Sequence, residues 1–319
     1  MEFKISKEHD GMTVLSFLKF KLKISRHALS SLKRSDMGIR INGKHVTVRY
    51  VLKEGDLLTI SENDTFEDTN ESIVPRSLPI NVIFENDSLF IIDKPADMPT
   101  HPSHNHADDT LANALAYVYK QRGEALVFRP IGRLDRNTSG LSLIAKNSIS
   151  ASFLHYAKTK DMIKKRYLAI LDGQITHDED WHETTLYMKR LADSIIIRCV
   201  TDASDKDAFI AITRWRMLYS NGAISLVEAI PVTGRTHQLR VNFAHLGFPI
   251  LGDDVYGSES EYISRHALHA YSLSLPMPYD GESTEFSSLP PEDMNIAFKR
   301  LCGIELKEIM QKTERKNNG

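Results

Sequence analysis

The chain has 319 residues, 41% of them hydrophobic and 26% charged, and a formal net charge of −2 at pH 7. That length favours two domains, and the composition is typical of a folded globular protein. No apolar run reaches the roughly 18 residues that cross a bilayer, and the N-terminus lacks a signal-peptide pattern. Two cysteines, Cys199 and Cys302, are too few for a disulfide framework. These features predict a cytoplasmic protein and exclude membrane-spanning and disulfide-rich classes.

The first 60 residues are basic, although the whole chain is slightly acidic. They contain 12 Lys and Arg against six Asp and Glu, a net charge of +6. Ser25 is a plausible N-cap for a helix, and Asn42-Gly43 between alternating residues predicts a β-hairpin. A basic module on an acidic chain indicates a polyanionic partner; a merely solvated basic surface is the alternative. The predicted nucleic-acid contacts on this helix are Arg26, Lys33 and Arg34.

Two polar segments predict the boundaries of a larger domain. Residues 61–78 are rich in Asp and Glu and have few large apolar side chains, which predicts a solvated acidic linker that lets two domains move. Residues 308–319 are polar and charged and predict a tail that frays. The chain is therefore expected to consist of a basic domain at 1–60, the linker, a main domain at 79–307 and the tail.

The most informative stretch of the main domain is 129–141, which contains a carboxylate, Asp135, between two arginines. Apolar residues precede it, and the alternating segment 141–145 that follows predicts a buried strand. Loops held by rigid strands often carry catalytic groups, and neighbouring guanidinium groups favour an ionised carboxylate. From spacing alone, a surface Asp–Arg turn is an equally good interpretation.

With its neighbours, this stretch resembles a known catalytic motif. The run Arg133-Leu134-Asp135, followed two residues later by Thr138-Ser139-Gly140-Leu141, resembles the active-site motif of the RluA-type pseudouridine synthases, which isomerise uridine in structured RNA. In that family the aspartate is the nucleophile, so the resemblance implies this role for Asp135. The family usually has His before the arginine, and this chain has Gly132.

Two further segments resemble the other motifs of this family, in the expected order. Lys165-x-Tyr167-x-Ala169 resembles the second motif and implies an active-site tyrosine; a strand tyrosine with a surface hydroxyl is the alternative. The run 234–240 resembles the third motif, which implies that Arg235 pairs with the catalytic aspartate; a helix-start arginine facing water is the alternative. The family usually ends this motif in His, and this chain has Asn242. The likeness covers about 80–276.

The resemblance implies an α+β fold: a mostly antiparallel, bent central sheet with flanking helices. In front of it, residues 1–60 resemble the S-four-like RNA-binding domain, a small α/β module. The implied reaction breaks the N1–C1′ bond of uridine and joins C5 to C1′, without a cofactor. Structured ribosomal or transfer RNA is the implied partner, and we expect a monomer without an obligatory protein partner.

The resemblance also implies roles for individual side chains. Asp135 would attack C1′ or assist deprotonation of the sugar, and Tyr167 would stack on the uracil and assist removal of the C5 proton. Arg133 would enter the RNA helix and hold the target base out of the stack, because chemistry on a base requires it to be flipped. Further RNA contacts are expected at Lys165 and Arg240.

Other interpretations of the main domain are weaker. His101, His104 and His106 lie close together, but their spacing matches no recognised metal site and prolines interrupt the segment, so no metal is expected. A glycosidase generally needs two carboxylates, and the motifs supply one. A non-catalytic RNA-binding or ribosome-assembly factor with this fold is the main alternative. The presence of the Asp, the Tyr and the Arg together argues against it.

Overall fold

Residues 1–61 form a small domain of short strands and helices. The computed structural model describes residues 1–35, 37–61, 73–176, 180–279 and 281–317, so most of the predicted linker lies outside the described residues. The elements of the small domain are β1 (Glu2–Lys4), α1 (Val14–Ser16), α2 (Arg26–Arg34), β2 (Ile39–Ile41), β3 (Lys44–His45) and β4 (Leu57–Ile60), with a 3-10 turn at Lys7–His9 and a π-helical turn at Phe17–Lys21. Its strands form one antiparallel sheet in the order β1-β4-β2-β3.

Two local predictions for the small domain are confirmed. The Ser25 side chain accepts a hydrogen bond from the backbone N–H of Ala28 and caps α2, whose two leucines are buried. Asn42 and Gly43 both have positive φ, 50° and 80°, as a two-residue type I′ hairpin requires. The basic side chains predicted to bind nucleic acid are all exposed on α2: Arg26, Lys33 and Arg34.

The large domain follows, and its strands and helices do not form a regular repeat. They are β5 (Asn81–Glu85), β6 (Leu89–Lys94), α3 (Leu111–Arg122), β7 (Arg129–Pro130), β8 (Ser139–Ala145), α4 (Ser148–Thr159), β9 (Lys164–Asp172), β10 (His182–Arg190), β11 (Arg198–Val200), β12 (Phe209–Ser220), β13 (Ile224–Pro231), α5 (Gln238–His245), β14 (Leu268–Pro276), β15 (Ser283–Ser287), α6 (Glu292–Cys302) and α7 (Leu306–Asn317). No helix in the described ranges is long and apolar enough to cross a membrane.

The strands of the large domain form one eleven-stranded sheet. Its main order is β11-β10-β12-β13-β9-β14-β8-β6-β5, with β15 paired to β14 and β7 paired to β8. Neighbouring strands are antiparallel except for β8 and β14, which run parallel and join the two halves of the sheet. Apolar side chains of the helices cover the sheet, and Phe243 of α5 and Phe298 of α6 share one core with β9 and β13. The predicted α+β, mostly antiparallel architecture is therefore confirmed.

A glycine makes the parallel pairing possible. Ser139 and Gly140 lie opposite His269 and Ala270. Gly140 has φ 111°, and a Cβ on it would lie 2.3 Å from the carbonyl oxygen of Ala270, so no larger residue fits without moving one strand. The glycine of the first motif, Gly140, therefore allows the two halves of the sheet to come together.

The small domain is docked on the large one. Ile149 at the start of α4 is fully buried in the core of the small domain, and Tyr279 packs against the same core. The Tyr279 ring lies 5.6 Å from the Phe3 ring, and its hydroxyl lies 2.7 Å from Ser150 Oγ. The α4 helix thus begins at the small domain and ends beside the Asp135 pocket, where Lys158 lies.

The C-terminal tail and one turn differ from what their residues favour. The tail expected to fray from 308 is instead α7, because Leu306 and Ile309 are buried in the main core and anchor the helix. The loop between β12 and β13 is not the two-residue type I′ turn that an Asn-Gly pair favours, since Gly222 has positive φ and Asn221 does not. The Asn221 side-chain oxygen instead accepts hydrogen bonds from the backbone N–H groups of Ala223 and Ile224, which closes a longer loop.

Candidate active site

Asp135 lies in a turn, residues 134–138, in which four backbone carbonyls each accept a hydrogen bond from a different residue. This segment, called here the Asp135 turn, precedes β8, and the Asp135 side chain is 21% exposed. Four consecutive carbonyls accept hydrogen bonds, which fixes the direction of the side chain between them. The donors to the carbonyls of Leu134, Asp135, Arg136 and Asn137 are Thr100 Oγ1 (3.1 Å), the Thr138 N–H (3.1 Å), Lys94 Nζ (3.1 Å) and Arg265 Nη1 (3.0 Å).

Lys94 connects the turn to the Pro-rich loop that follows β6. Its Nζ also donates to the carbonyls of Pro95 (2.7 Å) and Met98 (2.8 Å). The side chain is fully buried, which lowers the pKa of Lys94 to about 7. The three carbonyls match the three donors of a lysine ammonium group, so Lys94 is placed to hold loops and not to contact a ligand.

Arg265 holds the turn from the other side. Its guanidinium forms a two-pronged pair with Asp293 of α6, with Nε–Oδ2 at 2.7 Å and Nη2–Oδ1 at 2.9 Å. Its Nη1 donates to Asn137 O and also to the carbonyls of His266 and Leu268. Because Asp293 fixes the plane of the guanidinium, the donor to Asn137 has a fixed position.

Two buried histidines continue this network beneath the turn. His266 Nε2 lies 2.9 Å from Thr138 Oγ1, and His269 Nδ1 lies 2.9 Å from Ser139 Oγ. Burial lowers the pKa of His266 to about 3 and that of His269 to about 4, so both imidazoles are neutral near pH 7. Together with Lys94 and Arg265, they are site residues that spacing did not reveal, because they come from distant parts of the chain.

Tyr167 on β9 forms one wall of the site. It is 8% exposed and lines the same pocket as Asp135. Burial, and secondarily the charge of Asp135, raise the pKa of Tyr167 well above its usual value. Its hydroxyl therefore stays protonated near neutral pH, which suits a stacking surface better than a proton acceptor.

Across the pocket, the imidazole of His237 lies close to the Asp135 carboxylate. Its Nε2 is 4.0 Å from Asp135 Oδ2, and its Nδ1 is 2.9 Å from the Tyr256 hydroxyl, which accepts from the backbone N–H of Arg198. Burial lowers the pKa of His237, so the neutral form is favoured. His237 precedes α5 with φ 56°, a left-handed conformation that turns the chain into the helix. It lies inside the third motif, but no pattern in the sequence assigned it a role.

The expected pair between Arg235 and Asp135 is wrong for this structure. Within the described residues no carboxylate lies within 4 Å of the Arg235 guanidinium, which is exposed at the mouth of the pocket. Its Nε donates to the carbonyl of Ile210 (3.0 Å), and the guanidinium carbon lies 5.3 Å from the centre of the Phe209 ring. The left-handed turn at His237 separates this arginine from the helix that faces Asp135.

Arg240 is also placed differently from the expectation. We expected an RNA contact, but Arg240 is 5% exposed and forms a two-pronged pair with Asp253, both bonds at 2.7 Å. Although burial opposes it, the hydrogen bond to Asp253 and the charges of Asp253 and Asp135 raise the pKa of Arg240. The buried cation on the Asp135 side of α5 is therefore Arg240.

These elements enclose a pocket of about 430 Å³, within the range of small-ligand sites. Arg133 lies at its edge and donates to Thr236 Oγ1 at 3.1 Å. Lys165 Nζ donates to the carbonyl of Leu141 at 2.9 Å, and burial lowers the pKa of Lys165 to about 8. Asp135 is thus a carboxylate in a pocket whose other charged residues are mostly cationic: Arg133, Lys158, Lys165, Arg235 and Arg240.

Comparison with known proteins identifies the family. Residues 88–245 match the family described as RNA pseudouridylate synthase, and residues 1–58 match the RluD ribosomal pseudouridine synthase N-terminal domain. YjbO, an RNA pseudouridine synthase of Bacillus subtilis (strain 168), is 34% identical over 279 residues, which cover 88% of this chain and 96% of YjbO. The chain belongs to the RNA pseudouridine synthase family. It is an isomerase that converts uridine in RNA to pseudouridine.

Other members are similar over most of their length. Ribosomal large subunit pseudouridine synthase D of Zymomonas mobilis is 32% identical over 299 residues, covering 88% of this synthase and 90% of the relative. The solved structure of human RNA pseudouridylate synthase domain containing 1 has a TM-score of 0.56 and 23% identity, and covers 79% of this chain and 97% of its own. That structure shares the fold. The expected family and reaction class are therefore confirmed.

The histidines of the Pro-rich loop belong to a different set of contacts. His106 Nδ1 lies 2.7 Å from Asp109 Oδ2, and Arg136 lies on the other side of the ring, with Nη1 3.3 Å from Nε2. Across the described part of this synthase, no group of three or more His, Cys, Asp or Glu is arranged to hold a metal ion.

Proposed function

We propose that this synthase modifies uridine in ribosomal RNA in the cytoplasm, as a monomer, with Asp135 as its nucleophile. The observation that carries the proposal is the Asp135 turn: one carboxylate, held through four consecutive carbonyls, faces a pocket with several cations. The match of residues 1–58 to a ribosomal synthase domain supports ribosomal RNA as the substrate, as does the relative named for the large ribosomal subunit.

The pocket dimensions support entry of a single flipped nucleotide. About 430 Å³ is suited to one nucleoside, and a base must leave the stack before an enzyme can act on it. Arg133 at the pocket edge, with only the Thr236 hydroxyl as its hydrogen-bond partner in the described chain, is free to replace the base in the RNA helix. The exposed cations of the pocket edge would hold the flanking phosphates.

In the proposed reaction Asp135 assists cleavage of the N1–C1′ bond by attacking C1′ or by assisting deprotonation of the sugar. The uracil then turns, C5 bonds to C1′, the C5 proton leaves, and N1 gains a proton. Tyr167 stacks on the uracil. Because its phenol stays protonated, removal of the C5 proton requires another group; Asp135 and the neutral His237 both meet that requirement.

Arg240 takes over the electrostatic role that the motif assigned to Arg235. It is buried, faces the pocket, and is itself held by Asp253. A cation fixed in this way stabilises the negative charge on Asp135 without moving toward it, because Asp253 keeps the guanidinium in place. The exposed α2 cations of the small domain would add phosphate contacts remote from the chemistry: Arg26, Lys33 and Arg34.

The test uses RNA carrying tritium at C5 of uridine, isolated from cells that lack this protein. Joining C5 to C1′ releases that hydrogen to solvent, so wild-type protein is expected to release tritium. Asp135→Asn keeps the shape but removes the nucleophilic charge, and should lower the rate by at least about 10³-fold. RNA affinity, measured by filter binding, should change little.

Three outcomes would contradict the proposal or a part of it. Appreciable release by Asp135→Asn would show that another group is the nucleophile. Tight RNA binding without release by the wild type would favour the alternative, a non-catalytic RNA-binding or ribosome-assembly factor. Release from transfer RNA alone would leave the chemistry intact and contradict the ribosomal substrate.

A further inference from the structure

An exposed aromatic ring lies beside the mouth of the Asp135 pocket and has no part in the chemistry above. Phe209, the first residue of β12, is 59% exposed. It lies two residues before the buried Ala211, hence on the same sheet face as Ala211, the face that Val241 of α5 covers. Single exposed apolar side chains are common; Phe209 differs because its ring contacts Arg235, which lines the pocket.

The ring is paired with Arg235. The guanidinium carbon lies 5.3 Å from the ring centre, and the Arg235 Nε donates to Ile210 O at 3.0 Å. The backbone is fixed as well, since the Arg235 N–H donates to the side-chain oxygen of Gln238 (3.0 Å). Gln238 is buried and its amide nitrogen donates to Ile212 O (2.9 Å). Phe209 and Arg235 therefore form a pre-ordered pair of a ring and a guanidinium group, called here the Phe209–Arg235 platform.

Charge indicates what the platform binds. Within the described chain, no carboxylate lies within 4 Å of either Arg235 or Arg133, the two arginines at the pocket mouth. An apolar ring beside a cation that has no carboxylate partner is poorly suited to an apolar protein surface, whose burial would leave this charge unsolvated. Nucleic acid satisfies both requirements, because its bases stack on aromatic and guanidinium planes while its phosphates face the cations.

We infer that the Phe209–Arg235 platform is a binding site for an unpaired RNA base next to the target uridine. Arg235 lines the pocket, whereas Phe209 lies just outside it, so a nucleotide adjoining the flipped one meets the platform first. The inference rests on the proposed entry of uridine into the Asp135 pocket. It assigns to Arg235 a role in substrate recognition in place of the ion pair expected from the motif.

The first experiment compares four residues at position 209. Steady-state tritium release is measured with large-subunit ribosomal RNA transcribed in vitro. Phe209→Ala and Phe209→Leu should each raise the KM for RNA about tenfold, because both lose the π face, while kcat changes less than about twofold. Phe209→Trp should restore a wild-type KM. Leu289→Ala, at an apolar position that is 77% exposed, is the matched control and should leave KM unchanged.

Phe209→Leu separates stacking from general apolar contact. A wild-type KM for this variant would overturn the inference, because leucine has no π face on which a base can stack. Thermal unfolding of each variant checks that the fold is intact, which the exposure of Phe209 makes straightforward. If the wild type itself releases no tritium, the proposed function fails; if it is active and all the Phe209 variants match it, only the platform fails.

The second experiment locates the stacked base. After the modified uridine is mapped, a short stem–loop is made with an abasic nucleotide on its 5′ or its 3′ side. One of the two abasic RNAs should raise the KM of the wild type about tenfold. The same RNA should leave the KM of Phe209→Ala unchanged, since this variant has already lost the stacking contact. Additive losses at both positions would overturn the assignment.

Discussion

The floor of the pocket and its mouth are built in opposite ways. At the floor, the carbonyls of the Asp135 turn are each paired, and the donors are buried residues that are themselves held, as Arg265 is by Asp293. At the mouth, Arg133 and Arg235 are exposed and, among the described residues, neither has a carboxylate within 4 Å. Chemistry requires a carboxylate fixed to within a fraction of an ångström, whereas binding a polyanion requires cations that are not already paired with a carboxylate. The difference separates groups that act on rate from groups that act on affinity.

The largest effect that would test this separation is at Arg265. Arg265→Lys keeps the charge but loses the two-pronged pair, so Asn137 O loses a fixed donor. We expect kcat to fall about 10²-fold, as for a small misplacement of a catalytic group, with KM for RNA nearly constant. Asp293→Asn is the milder control, because Arg265 keeps its hydrogen bond to Asn137 O. Its kcat should fall less than that of Arg265→Lys. An unchanged kcat in Arg265→Lys would remove the distinction between floor and mouth.

An intermediate effect is expected from pH, at Lys165. Burial lowers its pKa to about 8, so its charge is present below that pH and lost above it. KM for RNA should therefore rise several-fold between pH 7 and 9, and Lys165→Met should remove the step and resemble the wild type at high pH. In the unfolded chain the lysine keeps its proton up to about 10.5. The free energy of unfolding should thus increase with pH between these two values. A pH-independent difference in KM between the wild type and Lys165→Met would contradict the assignment.

The smallest effects are expected at the mouth, in the dependence on salt. Arg133→Ala and Lys158→Ala should each reduce the slope of log Kd against log salt concentration by about 0.7, the value for one phosphate contact on single-stranded RNA. Lys299→Ala is a suitable control, because Lys299 lies on α6 and already pairs with Glu305 at 3.0 Å. A slope unchanged by Arg133→Ala or Lys158→Ala would place these cations outside the RNA interface.

The sequence was sufficient for the parts of the site that are local in the chain. Asp135 lies in the predicted turn before a buried strand, and Tyr167 lies in the predicted strand, because each depends on a short pattern of polar and apolar residues. The predicted cap at Ser25 and hairpin at Asn42-Gly43 are local for the same reason. The helix Leu306–Asn317 was missed because its overall polarity hid two anchoring residues.

The predictions that failed concern residues whose positions depend on three-dimensional contacts or on one unusual dihedral angle. Arg235 and Arg240 are five residues apart, and the resemblance implied the pair with Asp135 for Arg235, whereas the buried arginine at the pocket is Arg240. The left-handed conformation of His237, rare for a residue other than glycine, decides it and leaves no trace in the hydrophobic pattern. Lys94 and Arg265 reach the turn from positions 42 and 128 residues away in sequence, beyond the range of any spacing rule.

The parallel pairing of β8 and β14 has a consequence for how the enzyme is made. Ser139 and His269, which meet there, are 130 residues apart in the chain. Closing a loop of that length is entropically costly and slow, so the catalytic pocket is a late product of folding. A nascent chain that has emerged only as far as β13 already contains its whole basic N-terminal domain but lacks β14, which holds the Asp135 turn in place through Ser139. With the proposed roles of the two domains, the part of the chain that contacts RNA is therefore made before the part that modifies it is complete.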